Sequence, residues 1–190
     1  MTYKTREYRL TGMDGLSDNL LKNHYTLYEG YVNNVNKLLD LLAARSRDGA
    51  NPEYAELKRR FGFEFNGMRL HEYYFENLVG KGALDQNGRL AGRLNEAFGG
   101  YQKWEEDFKA TGKMRGVGWA VLFQDVVGGQ LLNVWVNEHH VNNLAGCQPV
   151  LVMDVWEHAF MTDYGLKRAD YIEAFFRNIN WTAVEGRLKA

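Results

Sequence analysis

Asp154 and His158 stand four residues apart in the run Met153-Asp154-Val155-Trp156-Glu157-His158-Ala159. The preceding run, Pro149-Val150-Leu151-Val152-Met153, is short and mostly apolar, and reads as a buried strand. From Glu157 to about Tyr164 the chain reads as the start of a helix. A carboxylate and an imidazole at such a junction can point into one pocket. Together they suit a first-row metal such as iron, manganese or zinc. They equally suit a helix cap and a core histidine. His24 and His71 fall on apolar helical stripes elsewhere in the chain, and His139-His140 are adjacent in a polar loop. Three histidines and a carboxylate make a plausible ligand set. On residue types alone, a metal site and a set of core histidines both stay open, and no particular reaction is singled out.

The elements that must position these residues read as follows. Ser17-Asp18-Asn19 supplies N-cap chemistry for a helix running to about Ser46. Its apolar positions are Leu20, Leu21, Leu27, Tyr28, Tyr31, Val35, Leu38, Leu39 and Leu42, with His24 on the stripe. Tyr31 follows His24 within about 20° of the same face and about 10 Å further along the axis. After the turn Arg47-Asp48-Gly49-Ala50, Asn51-Pro52 starts a second helix running to about Leu78, which carries His71 inward. The short connection predicts an antiparallel hairpin that brings His24 and His71 to a common site. Gly80-Lys81-Gly82 marks a boundary between residues 1–80 and 81–190. Beyond it, Gly88–Phe98 and Tyr101–Thr111 read as helices. Trp119–Gln124 and Gln130–Val136 read as a hairpin, and Pro149–Met153 completes a three-stranded antiparallel sheet. Lys167 to about Leu188 reads as a last helical region. The fold class is therefore α+β, a helical hairpin followed by an α/β unit.

Composition narrows the function classes. The net charge is −1 with no basic block, which argues against nucleic acid and anionic membranes as partners. The single cysteine, Cys147, excludes an intrachain disulfide and any Cys-rich metal site. No apolar run approaches membrane-spanning length, and Met1–Leu10 is polar, so the expectation is a cytoplasmic protein.

The run Asp154-Val155-Trp156-Glu157-His158-Ala159, followed by Asp163-Tyr164, Tyr171-Ile172 and Asn178-Ile179-Asn180-Trp181, resembles the C-terminal signature of iron/manganese superoxide dismutases. His24-Tyr25 with Tyr31-Val32-Asn33-Asn34, His71-Glu72-Tyr73-Tyr74-Phe75, and Gly116-Val117-Gly118-Trp119-Ala120 resemble that family's other motifs, in family order.

The resemblance implies metal ligands His24, His71, Asp154 and His158, with water or hydroxide as a fifth. It implies one iron (preferred) or manganese per subunit, cycling between +3 and +2 as superoxide is converted to oxygen and hydrogen peroxide. The family's outer-sphere donor is usually a Gln. Here the second-helix position for it is Gly67, and the loop position falls on His140. Trp119 and Trp156 would wall the pocket, and Tyr31 would stand in the substrate funnel. Glu157 would reach the partner's ligand histidine across a homodimer interface, with a tetramer also possible.

Two departures bear on activity. Tyr28-Glu29 replaces the usual paired histidines, with one residue fewer before Tyr31, and His24 is taken as the ligand over Asn23 because it faces inward. Met161 replaces a gateway Tyr. These changes imply reduced turnover and leave a catalytically weak structural relative as the alternative.

Overall fold

A computed structural model describes residues 2–80 and 82–189. Helix α1 (Asp18–Ala44) is capped by Ser17, whose hydroxyl accepts the Leu20 N–H at 3.0 Å. Helix α2 (Pro52–Leu78) is capped by Asn51, whose side chain accepts from Glu53 and Tyr54. Each cap satisfies backbone N–H groups that have no partner inside the first turn. The two helices pack as the expected hairpin. The buried stripe of α1 is Leu20, Leu21, His24, Tyr28, Val32, Val35 and Leu38. Leu27, expected on that stripe, is 42% exposed. In α2 burial concentrates from Glu64 to Leu78. The boundary placed at Lys81 lies outside the described residues.

Helices α3 (Arg89–Phe98) and α4 (Tyr101–Gly112) lead into strands β1 (Gly118–Asp125), β2 (Leu131–Asn137) and β3 (Cys147–Asp154). The sheet is antiparallel in the order β2-β1-β3, so β1 is the central strand and is buried along nearly its whole length. Helix α4 packs on β1 and β2, and α2 packs on β3. In the register, Trp119 of β1 lies opposite Val136 on one side and Asp154 on the other. The sheet thus delivers Trp119 and Asp154 to the same end. Gly118 is required there, because a Cβ would collide with the Val136 carbonyl.

After β3 the chain departs from the sequence reading. The stretch read as one helix from Glu157 to Tyr164 is a single 3₁₀ turn (Glu157–Ala159) followed by a short helix, α5 (Met161–Tyr164). The region read as helical from Lys167 to Leu188 is α6 (Arg168–Arg177) and α7 (Trp181–Glu185), broken at Asn178–Asn180. Both asparagines bind backbone from outside the helix. Asn178 donates to the Asp14 carbonyl at 2.8 Å and Asn180 to the Val79 carbonyl at 2.6 Å. Such side-chain bonds compete with helix continuation. No helix among the described residues is long and apolar enough to cross a membrane.

Candidate metal centre

Four side chains from three elements and a turn converge. His24 comes from α1, His71 from α2, Asp154 from the end of β3 and His158 from the 3₁₀ turn. Their ligand atoms all lie within 4.8 Å of one another. His24, His71 and Asp154 are fully buried, while His158 keeps some contact with solvent. Asn23, the other candidate in α1, is exposed.

The Oδ2 atom of Asp154 lies 3.0 Å from Nε2 of His24, 3.1 Å from Nε2 of His158 and 3.7 Å from Nε2 of His71. Two ligands each about 2.1 Å from one ion, separated by 90–120° at that ion, would stand roughly 3.0–3.6 Å apart. The spacing therefore fits a first-row ion.

A proton inventory makes the stronger case. Nδ1 of His71 lies 2.6 Å from the carbonyl oxygen of Gly67, and a carbonyl can only accept. Nδ1 therefore carries the proton and Nε2 presents a bare lone pair. That Nε2 is buried and has no hydrogen-bond partner. It faces an anionic oxygen across 3.7 Å. Two buried acceptors set face to face are satisfied by a cation between them. The residues present thus fit a bound metal ion.

Electrostatics favours the same protonation states. Burial pushes the His24 imidazole below its ordinary range, against the pull of Asp154. Burial, reinforced by His24, pushes His71 lower still. Burial opposes the ionisation of Asp154, but the His158 imidazole and the hydrogen bonds from His158 and His24 outweigh it and hold the carboxyl well below its usual range. Metal ligands need neutral imidazoles and an ionised carboxylate. Asp154 is also fixed from behind. Its Oδ1 accepts the Trp156 N–H at 2.8 Å, and its backbone carbonyl accepts the Tyr171 hydroxyl at 2.7 Å.

Aromatic side chains enclose the cluster. Trp119 stands edge-on to His71 with ring centres 5.0 Å apart, and Tyr31 lies 5.1 Å from the same ring. Trp156 stacks beside His158 at 5.9 Å. Tyr74, not singled out from the sequence, covers His24 at 4.7 Å. It sits one turn beyond Leu70 on the buried face of α2, so the helical period was its only signal.

One placement corrects the sequence reading. The loop histidine that reaches the cluster is His139, not His140. The His139 ring is buried, with Nε2 2.7 Å from the Tyr31 hydroxyl and Nδ1 accepting the Trp119 indole N–H at 3.0 Å. Burial pushes its pKa down to about 4. His140 is exposed, with its nearest carboxylate, Glu138, at 3.9 Å. The cause is local. Glu138 and Asn142 both adopt left-handed backbone conformations, with φ of 50° and 69°. Asn137 and Val141 exchange backbone hydrogen bonds between them. This tight turn directs His139 inward and His140 out.

Gly67 does more than vacate the donor position. A Cβ there would lie 2.6 Å from the Tyr31 ring, so the glycine makes room for Tyr31. Tyr28, at the altered gateway position, is buried, and its hydroxyl donates to Glu72 at 3.2 Å while accepting the Arg6 N–H at 2.9 Å. Glu157 is exposed beside Met161, which is 45% exposed, on the rim of an open depression also lined by Phe160, Leu166 and Arg168.

Residues 86–187 match the family model for iron/manganese superoxide dismutases, C-terminal domain. Curated relatives match most of the chain. The superoxide dismutase [Fe] of Aquifex pyrophilus is 36% identical over 184 residues, covering 93% of this chain and 86% of the relative. The superoxide dismutase [Fe] of Cupriavidus metallidurans is 37% identical over 183 residues, covering 94% and 91%. The superoxide dismutase [Mn] 2 of Haloferax volcanii is 36% identical over 159 residues, covering 84% and 79%.

Proposed function

The chain belongs to the iron/manganese superoxide dismutase family, and on that premise we propose that it disproportionates superoxide to oxygen and hydrogen peroxide. The single observation that carries this reading is the bare His71 Nε2 lone pair facing the Asp154 carboxylate. His24, His71, Asp154 and His158 would hold one ion per subunit, iron in preference to manganese on account of the histidine beside the site. When bound, that ion supplies a one-electron couple between +3 and +2.

The chain's own residues account for the rest. The Asp154 carboxylate stays ionised and sets the pocket's charge against the neutral imidazoles of His24 and His71. Trp119, Trp156 and Tyr74 keep bulk water from the cluster and so strengthen every charge interaction inside it. His158, partly open to solvent, marks the side from which a small anion enters. Tyr31 and His139 form a hydrogen-bonded pair beside His71, and hold a proton for the peroxide product. Glu157 acts across a homodimer interface formed around the Met161 depression. The protein works in the cytoplasm, as two units divided near residue 80.

A second reading, a metal-binding relative with little turnover, is favoured by Tyr28. Its hydroxyl is committed to Glu72 and Arg6, so it does not stand in for a gateway histidine. Metal analysis of purified protein together with a superoxide-consumption assay separates the readings. Stoichiometric iron or manganese with catalysed superoxide loss supports the first, and the same metal content without it leaves the second.

A further inference from the structure

Strand β3 is an edge strand, because the sheet order β2-β1-β3 gives it β1 on one side only. The other side of an edge strand presents backbone groups that no strand pairs. Alternate residues of a strand turn their carbonyls to the same side, so Val150, Val152 and Asp154 form one row. A different side chain takes each. Arg187 Nη1 donates to the Val150 carbonyl at 2.9 Å, Asn77 Nδ2 to the Val152 carbonyl at 2.7 Å, and the Tyr171 hydroxyl to the Asp154 carbonyl at 2.7 Å. Three side chains thus stand where a fourth strand would pair.

Two of the three also hold α2. Asn77 is a fully buried residue of that helix. Arg187 donates to the Asn77 side-chain oxygen, to the Tyr73 carbonyl at 3.3 Å and to the Glu76 carboxylate at 3.1 Å, all on α2. Its side chain is 10% exposed, and Glu76 supplies the opposite charge. The planar guanidinium fork serves four acceptors on two elements at once, which an ammonium cannot do. His71 lies six residues before Asn77, about 9 Å along the helix axis. Asp154 lies two residues after Val152, about 7 Å along the strand.

We propose that Arg187 and Asn77 are positioning residues for the metal centre. By lashing α2 to the free edge of β3 they fix the span between His71 and Asp154. The span matters on the reading of these two residues as ligands to one ion. A bond that only stabilises the fold leaves ligand spacing unchanged in the molecules that stay folded. A positioning bond, when lost, changes that spacing in folded molecules, and with it the affinity for metal and the spectrum of the bound ion.

The full chain, stripped of metal and titrated with cobalt(II), separates the two roles, because the visible absorption of cobalt(II) reports the arrangement of its ligands. Arg187→Lys keeps the charge beside Glu76 and loses the fork. Asn77→Asp keeps the acceptor for Arg187 and loses the donor to Val152. Leu188→Ala removes buried apolar packing from the same tail and touches none of these bonds. With circular dichroism showing each protein folded, Arg187→Lys and Asn77→Asp should bind cobalt(II) roughly 10–100-fold more weakly than the parent, with an altered absorption spectrum. Should either fail to fold, the other decides. Leu188→Ala should melt at a lower temperature and keep the parental affinity and spectrum. Parental affinity and spectrum in the folded Arg187→Lys or Asn77→Asp protein overturn the proposal, as does an equal loss in Leu188→Ala. A parent chain that binds no cobalt(II) overturns the ligand reading and the positioning role with it, whereas unaffected variants of a metal-binding parent overturn the positioning role alone.

Discussion

Asp154 is the residue on which the centre depends, since all three imidazoles approach the same oxygen. Asp154→Ala should reduce bound metal to a small fraction of stoichiometric, as measured by elemental analysis; unchanged metal content would refute the ligand assignment. His139 and His140 make a sharper pair. His139→Ala leaves the buried Trp119 N–H unpaired, at a cost of about 1–3 kcal/mol, and should change the rate of superoxide loss while metal stays bound. His140→Ala should shift neither stability nor rate by more than about 0.5 kcal/mol equivalent. If the two variants behave in the reverse order, the placement of the loop is wrong. Gly67→Ala puts a methyl group 2.6 Å from the Tyr31 ring. It should cost roughly 1–3 kcal/mol by overpacking, seen as a lowered Tm, and should lower activity through displacement of Tyr31.

At the scale of elements, periodic segments were legible in the sequence and aperiodic ones were not. His24 and His71 could be placed because each lies on an apolar stripe of period 3.6, and Asp154 because it ends a continuous apolar strand. His139 could not be told from His140, because the turn that separates them depends on a left-handed conformation at Glu138, a residue type that does not announce it. The helix expected from Glu157 fails for a related reason. Phe160 leaves the helical backbone region, with a φ of −143°, so only a 3₁₀ turn forms before it. Likewise Asn178 and Asn180 split the last helical region by bonding to distant carbonyls, which a local pattern does not reveal. The cap of α1 tests how firmly that helix is anchored. Ser17 both caps it and bonds Asp163 of α5, its hydroxyl donating at 2.6 Å and its N–H at 2.7 Å. Ser17→Ala should therefore cost about 1 kcal/mol or more in denaturant unfolding. A value near zero would mean that neither hydroxyl bond, to Asp163 or from the Leu20 N–H, persists in solution.

Across the whole molecule, the centre joins the helical hairpin to the sheet, with His24 and His71 on one side and Asp154 and His158 on the other. A metal bound there stabilises the native state by mass action. At free metal 1,000-fold above its Kd the gain is about 4 kcal/mol. For a chain of this length each kcal/mol moves Tm by roughly 2–4 °C, so removal of the ion should lower Tm by roughly 8–16 °C. A Tm unchanged by chelation would show that the hairpin and sheet do not depend on the ion. The most direct test of the central claim is superoxide decay followed by stopped flow, normalised to bound metal, for protein stripped by a chelator and reloaded with iron, manganese or zinc. Catalysed decay should vanish on stripping and return with iron or manganese but not with redox-inert zinc. Decay that persists without metal, or stays absent both with iron and with manganese bound at full occupancy in separate samples, would contradict the assignment.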